Sequence, residues 1–245
     1  MPLNPAASQD IDGSFRKEED RIRTAYAART GEACYAESLA GRFEFQERER
    51  HVLHLLDRHG LMPLAGKKIL EVGCGTGKWL RDLIAWGADP ENIFGVELLQ
   101  ASAARARRLC PQSVTIECGS AAELRFASNA FDIVLQATVF TSVLDEEMKR
   151  AMAAEMLRVL RPGGVILWYD FFLTSPGNPY VRPVTKAEIS GLFPGCELEL
   201  RRVSLAAPLT RLLAPRSWAA CSFLSRLSPL CTHYLGAVYR PTGLR

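Results

Sequence analysis

Three glycines at alternate positions, Gly73, Gly75 and Gly77, constrain this chain more than any other feature of its sequence. A predicted strand at residues 68–72 precedes them, and a predicted helix at residues 78–86 follows. Glycine permits a tight turn and lets a ligand approach the backbone where a Cβ would clash. A strand, a glycine-rich turn and a helix in this order predict a nucleotide-binding loop. The spacing differs from the G-x-G-x-x-G pattern of dinucleotide-dependent dehydrogenases, which disfavours that class.

Predicted strands and helices alternate downstream of this loop, which indicates a mostly parallel sheet with helices on both faces. The last two strands, at residues 197–203 and 233–239, are expected to form an antiparallel hairpin at the sheet edge. We therefore expect an α/β fold, a Rossmann-like doubly wound sheet of seven strands that is mostly parallel with an antiparallel last strand. The other predicted elements are strands at 92–98, 114–118, 131–136 and 165–171 and helices at 100–109 and 145–160.

The segments outside this alternation set the expected domain limits. Residues 1–13 are polar and are predicted to be disordered. Residues 14–63 are predicted to form a helical cap, and residues 64–245 the α/β domain. Within that domain, residues 206–231 are predicted to be a helical insertion before the last strand, because prolines divide an apolar pattern of helical spacing.

Composition and charge bear on compartment and partners. The seven cysteines are scattered without a C-x-x-C pair, which favours free thiols in a reducing compartment. No segment is apolar enough to cross a bilayer, and the polar N-terminus lacks the apolar core of a signal peptide, so a cytoplasmic protein is expected. Residues 1–199 carry 23 basic and 27 acidic side chains, whereas the remainder carries seven arginines and no acidic residue.

Glu97 supports the nucleotide interpretation. It lies near the end of the second predicted strand, 20 residues after Gly77. A carboxylate at this place can accept hydrogen bonds from ribose hydroxyls, and its negative charge would repel a 2′-phosphate. With Gly119 and the turn Arg161–Gly164 in register, the motif Glu71–Gly77 resembles the first motif of class I S-adenosylmethionine-dependent methyltransferases, and the chain is similar to their type 11 group.

The resemblance covers about residues 67–170. It implies S-adenosylmethionine as the cofactor and S-adenosylhomocysteine as the product. Residues 117–121 and 131–137 resemble the third and fourth motifs of the family, although Ser120 stands where the family usually has Asp. Cys74 is interpreted as a small residue in a tight turn, with a reactive thiol as the alternative. The resemblance assigns cofactor binding to Tyr26, Glu71, Gly73, Cys74, Gly75, Thr76, Gly77, Glu97, Leu98, Gly119, Ser120, Ala121, Gln136 and Ala137.

Candidate catalytic residues lie near the ends of the last strands. The implied cofactor is an activated methyl donor, so the protein mainly has to align two reactants and exclude water. A general base is needed only for an acceptor that retains its proton, and Asp170 or His233 could supply it. The simpler interpretations are a capping carboxylate and a structural histidine. Trp168 and Tyr169 alternate across the sheet, so only one of them faces the acceptor, and Tyr169 is taken as the candidate.

Two further groups of residues have competing interpretations. His51, His54 and His59 lie close together on one predicted helix, but a metal site needs a further ligand at suitable spacing, and no metal is expected. The insertion is expected to form a lid over the substrate pocket, because apolar residues and arginines there suit an amphiphilic or anionic acceptor. Packing on the sheet is the alternative, and a transient contact with an anionic membrane surface also fits.

These features predict methyl transfer to an O or N atom of a small-molecule acceptor, such as a natural product, a sugar or a lipid-linked precursor. A nucleic-acid or protein methyltransferase and a non-catalytic cofactor-binding module remain as alternatives. The arginines of the tail alternate with bulky aliphatic residues, whereas segments that track phosphates are usually polar, so a nucleic-acid partner is disfavoured. The sequence is compatible with a monomer or a homodimer.

Overall fold

The centre of the molecule is a seven-stranded sheet with the strand order β3-β2-β1-β4-β5-β7-β6. The computed structural model describes residues 5–27, 37–173 and 178–241. Strands β1 to β5 are parallel, and β7 is antiparallel to both of its neighbours, β5 and β6. The predicted Rossmann-like sheet with an antiparallel last strand is confirmed. The strands are β1 (Ile69–Val72), β2 (Ile93–Glu97), β3 (Thr115–Cys118), β4 (Phe131–Ala137), β5 (Leu160–Phe171), β6 (Glu197–Leu205) and β7 (Cys231–Tyr239).

Helices cover both faces of this sheet, as the doubly wound prediction requires. They are α1 (Pro5–Ala27), α2 (Leu39–Arg58), α3 (Lys78–Ala85), α4 (Gln100–Leu109), α5 (Glu146–Val159), α6 (Lys186–Leu192), α7 (Ala207–Leu213) and α8 (Trp218–Leu224). One apolar core lies between the sheet and α2, α3 and α4. A second apolar core lies between the sheet and α1, α5 and α6.

Local sequence explains where α5 begins and which side it buries. The Asp145 side chain caps the helix by accepting a hydrogen bond from the Met148 amide at 2.7 Å. Acidic residues follow in the first turn and Arg158 lies in the last turn, a charge order that the helix dipole favours. Met148, Met152 and further apolar residues at helical spacing face the second core and are buried.

Two boundaries differ from the sequence prediction by more than two residues. Strand β5 begins at Leu160, because Leu160 pairs with Phe131 before the register shifts between Phe131 and Ile133. The Pro-Gly-Gly turn is therefore a bulge inside a strand rather than a linker before it. Helix α1 begins at Pro5, inside the segment 1–13 that was expected to be disordered, and residues 1–4 lie outside the described residues. The domain limits themselves stay a prediction.

The insertion forms two short helices, as predicted, but it is not a lid. Helices α7 and α8 pack on α2 through an apolar cluster that includes Phe43, Leu205, Ala214 and Cys221. The rings of Phe43 and Trp218 meet edge to face, with 5.7 Å between their centroids. No residue of the insertion lines the cavity described below. The insertion instead supports the outer side of α2.

The six cysteines in the described part of the chain are all free thiols. Within the same ranges, no helix combines the length and the apolar character that crossing a bilayer requires. The cytoplasmic location stays a prediction.

Candidate functional site

A cavity of about 420 Å³ lies at the carboxyl ends of β1, β2, β4 and β5. The strand order reverses between β1 and β4, and ligands of open α/β sheets bind at such a reversal. Helices α1 and α2 contribute Tyr26, Phe45 and Arg48 to its walls. Twelve of the fourteen predicted cofactor residues line this cavity, and Gly77 and Gln136 do not.

The three glycines of the loop after β1 have positive φ values of 68°, 53° and 73°, which other residues rarely adopt. Their surroundings differ. A Cβ on Gly73 would lie 2.5 Å from the Val139 side chain, and one on Gly77 would lie 2.7 Å from the Cys110 sulfur. A Cβ on Gly75 would meet no protein atom within 4 Å. Gly73 and Gly77 therefore permit close packing, whereas Gly75 leaves backbone open to a ligand.

Glu97, at the end of β2, fixes the shape of the glycine loop. Its Oε2 atom accepts a hydrogen bond from the Gly75 amide at 2.7 Å, and its Oε1 atom accepts one from the Leu99 amide at 2.8 Å. Burial raises the pKa of the Glu97 carboxyl, and the two amides act in the opposite direction. Each oxygen retains a lone pair, so the group can still accept hydrogen bonds from a vicinal diol.

Glu71 and Arg48 place a carboxyl group and a guanidinium at the other end of the loop. Glu71 is 2% exposed, and its Oε2 atom is buried without a hydrogen-bond partner in the protein. Burial and the neighbouring Glu97 raise the pKa of Glu71, whereas Arg48 and Arg81 lower it. The Arg48 guanidinium stacks over the Trp79 ring at 4.3 Å from its centroid. A buried carboxyl oxygen without a partner, beside a stacked guanidinium, is suited to a zwitterionic amino acid group, whose ammonium would favour the ionised form of Glu71.

Arg48 was missed by the sequence analysis. The five residues Gln46-Glu47-Arg48-Glu49-Arg50 look like a solvated helix face. However, Phe45, Arg48, Val52 and Leu55 recur at helical spacing, so Arg48 occupies a position in the apolar stripe of α2. A single charged residue within an apolar stripe predicts a buried charge, and Arg48 is only 8% exposed.

Tyr169 lines the cavity and Trp168 does not, which resolves the choice between these neighbours. The Trp168 side chain is fully buried on the opposite side of the sheet, 4.7 Å from the Phe140 ring. The Tyr169 hydroxyl is 2.9 Å from the Ser204 hydroxyl. Burial raises the pKa of Tyr169 above its usual value, so the phenol keeps its proton at neutral pH.

Asp170, predicted as a base at the rim, does not line the cavity. Its side chain points to the opposite side of β5 from Tyr169 and is fully buried. It accepts hydrogen bonds from the Thr141 hydroxyl at 2.7 Å and the Thr141 amide at 3.2 Å. Burial raises the pKa of Asp170 to about 7. The carboxyl therefore holds the loop after β4 against the end of β5.

His233 also lies outside the cavity. Its ring stacks on the Tyr169 ring with 4.7 Å between centroids, behind the cavity wall. Burial and the nearby Arg48 lower the pKa of His233 to about 3, so the imidazole is neutral at physiological pH. It supports the position of Tyr169 from behind the cavity wall.

The loop after β4 connects the cavity to helix α1. The Gln136 side chain is fully buried, and its Oε1 atom accepts a hydrogen bond from the Val139 amide at 3.3 Å, which shapes the loop from outside the cavity. Arg21 of α1 donates to the Ser142 carbonyl at 2.5 Å. The Tyr26 hydroxyl, predicted to cover the cofactor, lies 3.2 Å from the Ser142 hydroxyl. These contacts hold the end of α1 over the cavity.

Cys74 and His59 are two further residues with competing interpretations. Burial raises the pKa of the Cys74 thiol, with desolvation as the main cause, so the alternative of a reactive thiol is not supported. His59 is 3.1 Å from a Glu199 carboxylate oxygen rather than grouped with other ligands. Among residues 5–27, 37–173 and 178–241, no group of three or more His, Cys, Asp and Glu side chains is placed to hold a metal ion.

Comparisons with known proteins agree with this geometry. Residues 69–164 match the family model described as a methyltransferase domain. A probable S-adenosylmethionine-dependent methyltransferase of Mycolicibacterium smegmatis is 34% identical over 137 residues, which are 53% of this chain and 51% of that protein. A sterol 24-C-methyltransferase of Yarrowia lipolytica is 32% identical over 150 residues, 57% of this chain and 37% of that protein. Two other matching relatives are named a tRNA N(3)-methylcytidine methyltransferase, from Drosophila melanogaster, and a tRNA N(3)-cytidine methyltransferase, from Bos taurus.

A solved structure shows the same fold. The S-adenosylmethionine-dependent methyltransferase of Mesorhizobium loti superimposes with a TM-score of 0.54 at 20% identity, covering 83% of this chain and 100% of that one. The chain spans about half of the first curated relative's length and about a third of the second's. The glycine loop, Glu97, the strand order and the matched region agree on one family: residues 69–164 match a class I S-adenosylmethionine-dependent methyltransferase domain.

Proposed function

We propose that this protein transfers a methyl group from S-adenosylmethionine to an O or N atom of a small-molecule acceptor. The observation that carries the proposal is the single cavity in which Glu97, the glycine loop and the unpartnered Glu71 meet aromatic residues of α1, α2 and β5. The first group has the chemistry to hold the donor. The aromatic residues form a wall that belongs to none of the donor motifs and is therefore available to the acceptor.

The side chains present fit the cofactor part by part. Glu97 would accept hydrogen bonds from the two ribose hydroxyls, and Leu98 and Ser120 would contact the adenine. Glu71 would accept hydrogen bonds from the ammonium group, whereas Arg48 would donate to the carboxylate. The sulfonium of the bound cofactor supplies an activated methyl group. Ser120 replaces the usual Asp of the third motif with a hydroxyl that can accept one hydrogen bond.

The acceptor would lie against the walls formed by the helical cap. Ile22 and Tyr26 of α1, Phe45 of α2 and Tyr169 of β5 line this part, so it is largely apolar and aromatic. Helices α1 and α2 limit access, which favours a small or narrow acceptor over a folded macromolecule. An amphiphilic acceptor with a partly apolar body suits such walls, and Arg48 and Lys78 favour an anionic group.

We infer that the chain promotes transfer mainly by alignment and exclusion of water. Among the described cavity residues, Glu71 and Glu97 are the only carboxylates, and no imidazole is present. Both carboxylates are proposed to hold the donor, and Tyr169 keeps its proton. The contribution of the protein is then proximity and orientation, which can supply several kcal/mol of the barrier.

Two measurements test the proposal. Calorimetry with S-adenosylhomocysteine should detect binding by the wild type and much weaker binding by Glu97→Ala. Incubation with methyl-labelled S-adenosylmethionine and host extract should then place label in the small-molecule fraction. Absence of cofactor binding would overturn the proposal, and binding without any transfer would favour the non-catalytic module.

A nucleic-acid or protein acceptor is the second candidate. Relatives named as tRNA methyltransferases and the excess of arginine after Glu199 favour it. In the same labelling experiment, label found in the RNA or protein fraction would support this candidate if ribonuclease or protease treatment then releases it. The oligomeric state, monomer or homodimer, is a separate prediction that light scattering can determine.

A further inference from the structure

The outer surface of the insertion combines exposed apolar side chains with arginines. Seven large apolar side chains of the described residues are exposed. Three of them lie within residues 206–231, namely Leu212 at 56%, Phe223 at 65% and Leu227 at 44%. Leu39, at the start of the helix that supports the insertion, is a fourth at 50%. Exposed apolar side chains concentrated in so short a segment indicate an interaction surface.

The exposed residues of this surface follow helical spacing. In both helices the exposed positions recur at i, i+3 and i+4, which is one face of a helix, and an exposed residue at i+7 follows in the turn after each helix. The opposite faces contribute Leu209, Leu213, Trp218 and Leu224 to the cluster on α2. Each outer face therefore presents one large apolar residue and one arginine. The two sets are Pro208, Arg211, Leu212 and Pro215, and Ala219, Ser222, Phe223 and Arg226.

The charge of this segment has one sign. Arg211, Arg216 and Arg226 are exposed, and no acidic residue occurs in the sequence after Glu199. Arg216 donates a hydrogen bond to the Leu212 carbonyl at 2.6 Å, which holds its side chain beside the apolar residue. Apolar side chains flanked by arginines match the boundary between acyl chains and anionic headgroups.

We propose that the outer faces of α7 and α8 dock on an anionic membrane surface. Leu212 and Phe223 enter the headgroup region, and Arg216 and Arg226 contact lipid phosphates. The contact lies on the surface, since α7 and α8 are seven residues each and pack by their other face on α2. The proposal does not depend on the methyl-transfer reaction, because the insertion lies outside the cavity.

Cosedimentation of the full chain with vesicles tests this docking. Vesicles of phosphatidylcholine and phosphatidylglycerol in equal parts should retain the protein at low salt, and vesicles of phosphatidylcholine alone should retain much less. Arg216→Gln and Arg226→Gln combined should weaken binding by about 25-fold, since each cation contributes about fivefold. Leu212→Ser with Phe223→Ser should weaken it by about tenfold or more.

Leu173→Ser is the matched control, because Leu173 is 47% exposed after β5, has no arginine beside it in the sequence and lies in none of the apolar clusters. It should bind vesicles like the wild type. All variants should bind S-adenosylhomocysteine equally, which confirms that they fold. Equal retention on both vesicle types, or unchanged binding of the Leu212/Phe223 variant, would overturn the proposal. A wild-type dimer that this variant dissociates, without vesicle binding, would also overturn it in favour of self-association.

Discussion

Replacement of Glu97 by alanine tests the proposed donor site most directly, because this carboxylate shapes the glycine loop and is also proposed to hold the ribose. Its oxygens accept hydrogen bonds from the Gly75 and Leu99 amides at 2.7 and 2.8 Å. A hydrogen bond to a charged group contributes about 1.5–3 kcal/mol, and cavity water replaces part of it, so the free energy of unfolding should fall by about 2–4 kcal/mol. Loss of the two proposed ribose contacts should cost about as much again in binding, or about 30- to 700-fold in Kd.

Glu97→Gln separates the two tasks. The glutamine side chain keeps one acceptor oxygen but turns an NH₂ group toward a backbone N–H. The losses of stability and of S-adenosylhomocysteine affinity should therefore be smaller than for Glu97→Ala. Urea unfolding measures stability, and calorimetry with S-adenosylhomocysteine measures affinity. Glu117→Ala, on neighbouring β3 and outside the cavity, is the control and should change neither. A Kd for Glu97→Ala within about threefold of the wild-type value would refute the ribose assignment, even if stability fell as expected.

Arg48→Met should weaken S-adenosylhomocysteine binding by about 10- to 100-fold through loss of the proposed carboxylate contact. Arg50→Met, at an exposed position of the same helix, should leave the calorimetric Kd unchanged, and equal affinities would contradict this role for Arg48. Gly73→Ala should lower the free energy of unfolding by about 2–4 kcal/mol, because its Cβ strikes the loop after β4. Gly75→Ala should lower the free energy of unfolding by only about 1–2 kcal/mol, the cost of a left-handed conformation for alanine. Equal denaturation midpoints for the two variants would disprove the role of Gly73 in packing. Burial raises the pKa of Asp170 from 3.8 to about 7, so the unfolded chain ionises first and the protein loses about 2–3 kcal/mol from this group between about pH 5 and pH 7. Asp170→Asn should lack that loss in urea unfolding at the two pH values, and an identical pH dependence would show that Asp170 is not its source.

The donor half of the site could be predicted because its determinants are local. A glycine loop between a strand and a helix, and an acid at the end of the next strand, have fixed positions in this fold. The structure places Gly73, Gly75 and Glu97 together as those rules require. Neighbouring residues of a strand face opposite sides of the sheet. Applied to Tyr169 and Asp170, this rule would have predicted that only one of them faces the cavity.

The rest depends on contacts between distant segments. The pattern of Leu209 and Trp218 predicts burial but does not specify the partner, and the partner is Phe43 of the N-terminal cap rather than the cavity. His233 similarly looks like a base next to a strand, but its environment is set by Tyr169 on a neighbouring strand. Periodicity identifies the buried face of an element, whereas only the tertiary structure identifies what covers it.

The contact between Gly73 and Val139 links two properties that are usually varied separately. Val139 lines the cavity and fills the space above Gly73 that a Cβ would need. A larger residue at position 139 would press on the donor loop, and a smaller one would leave a gap over it. Under the proposed donor assignment, a substitution at position 139 that alters ligand range is therefore expected to alter donor affinity as well, and compensating changes in the glycine loop are expected with it.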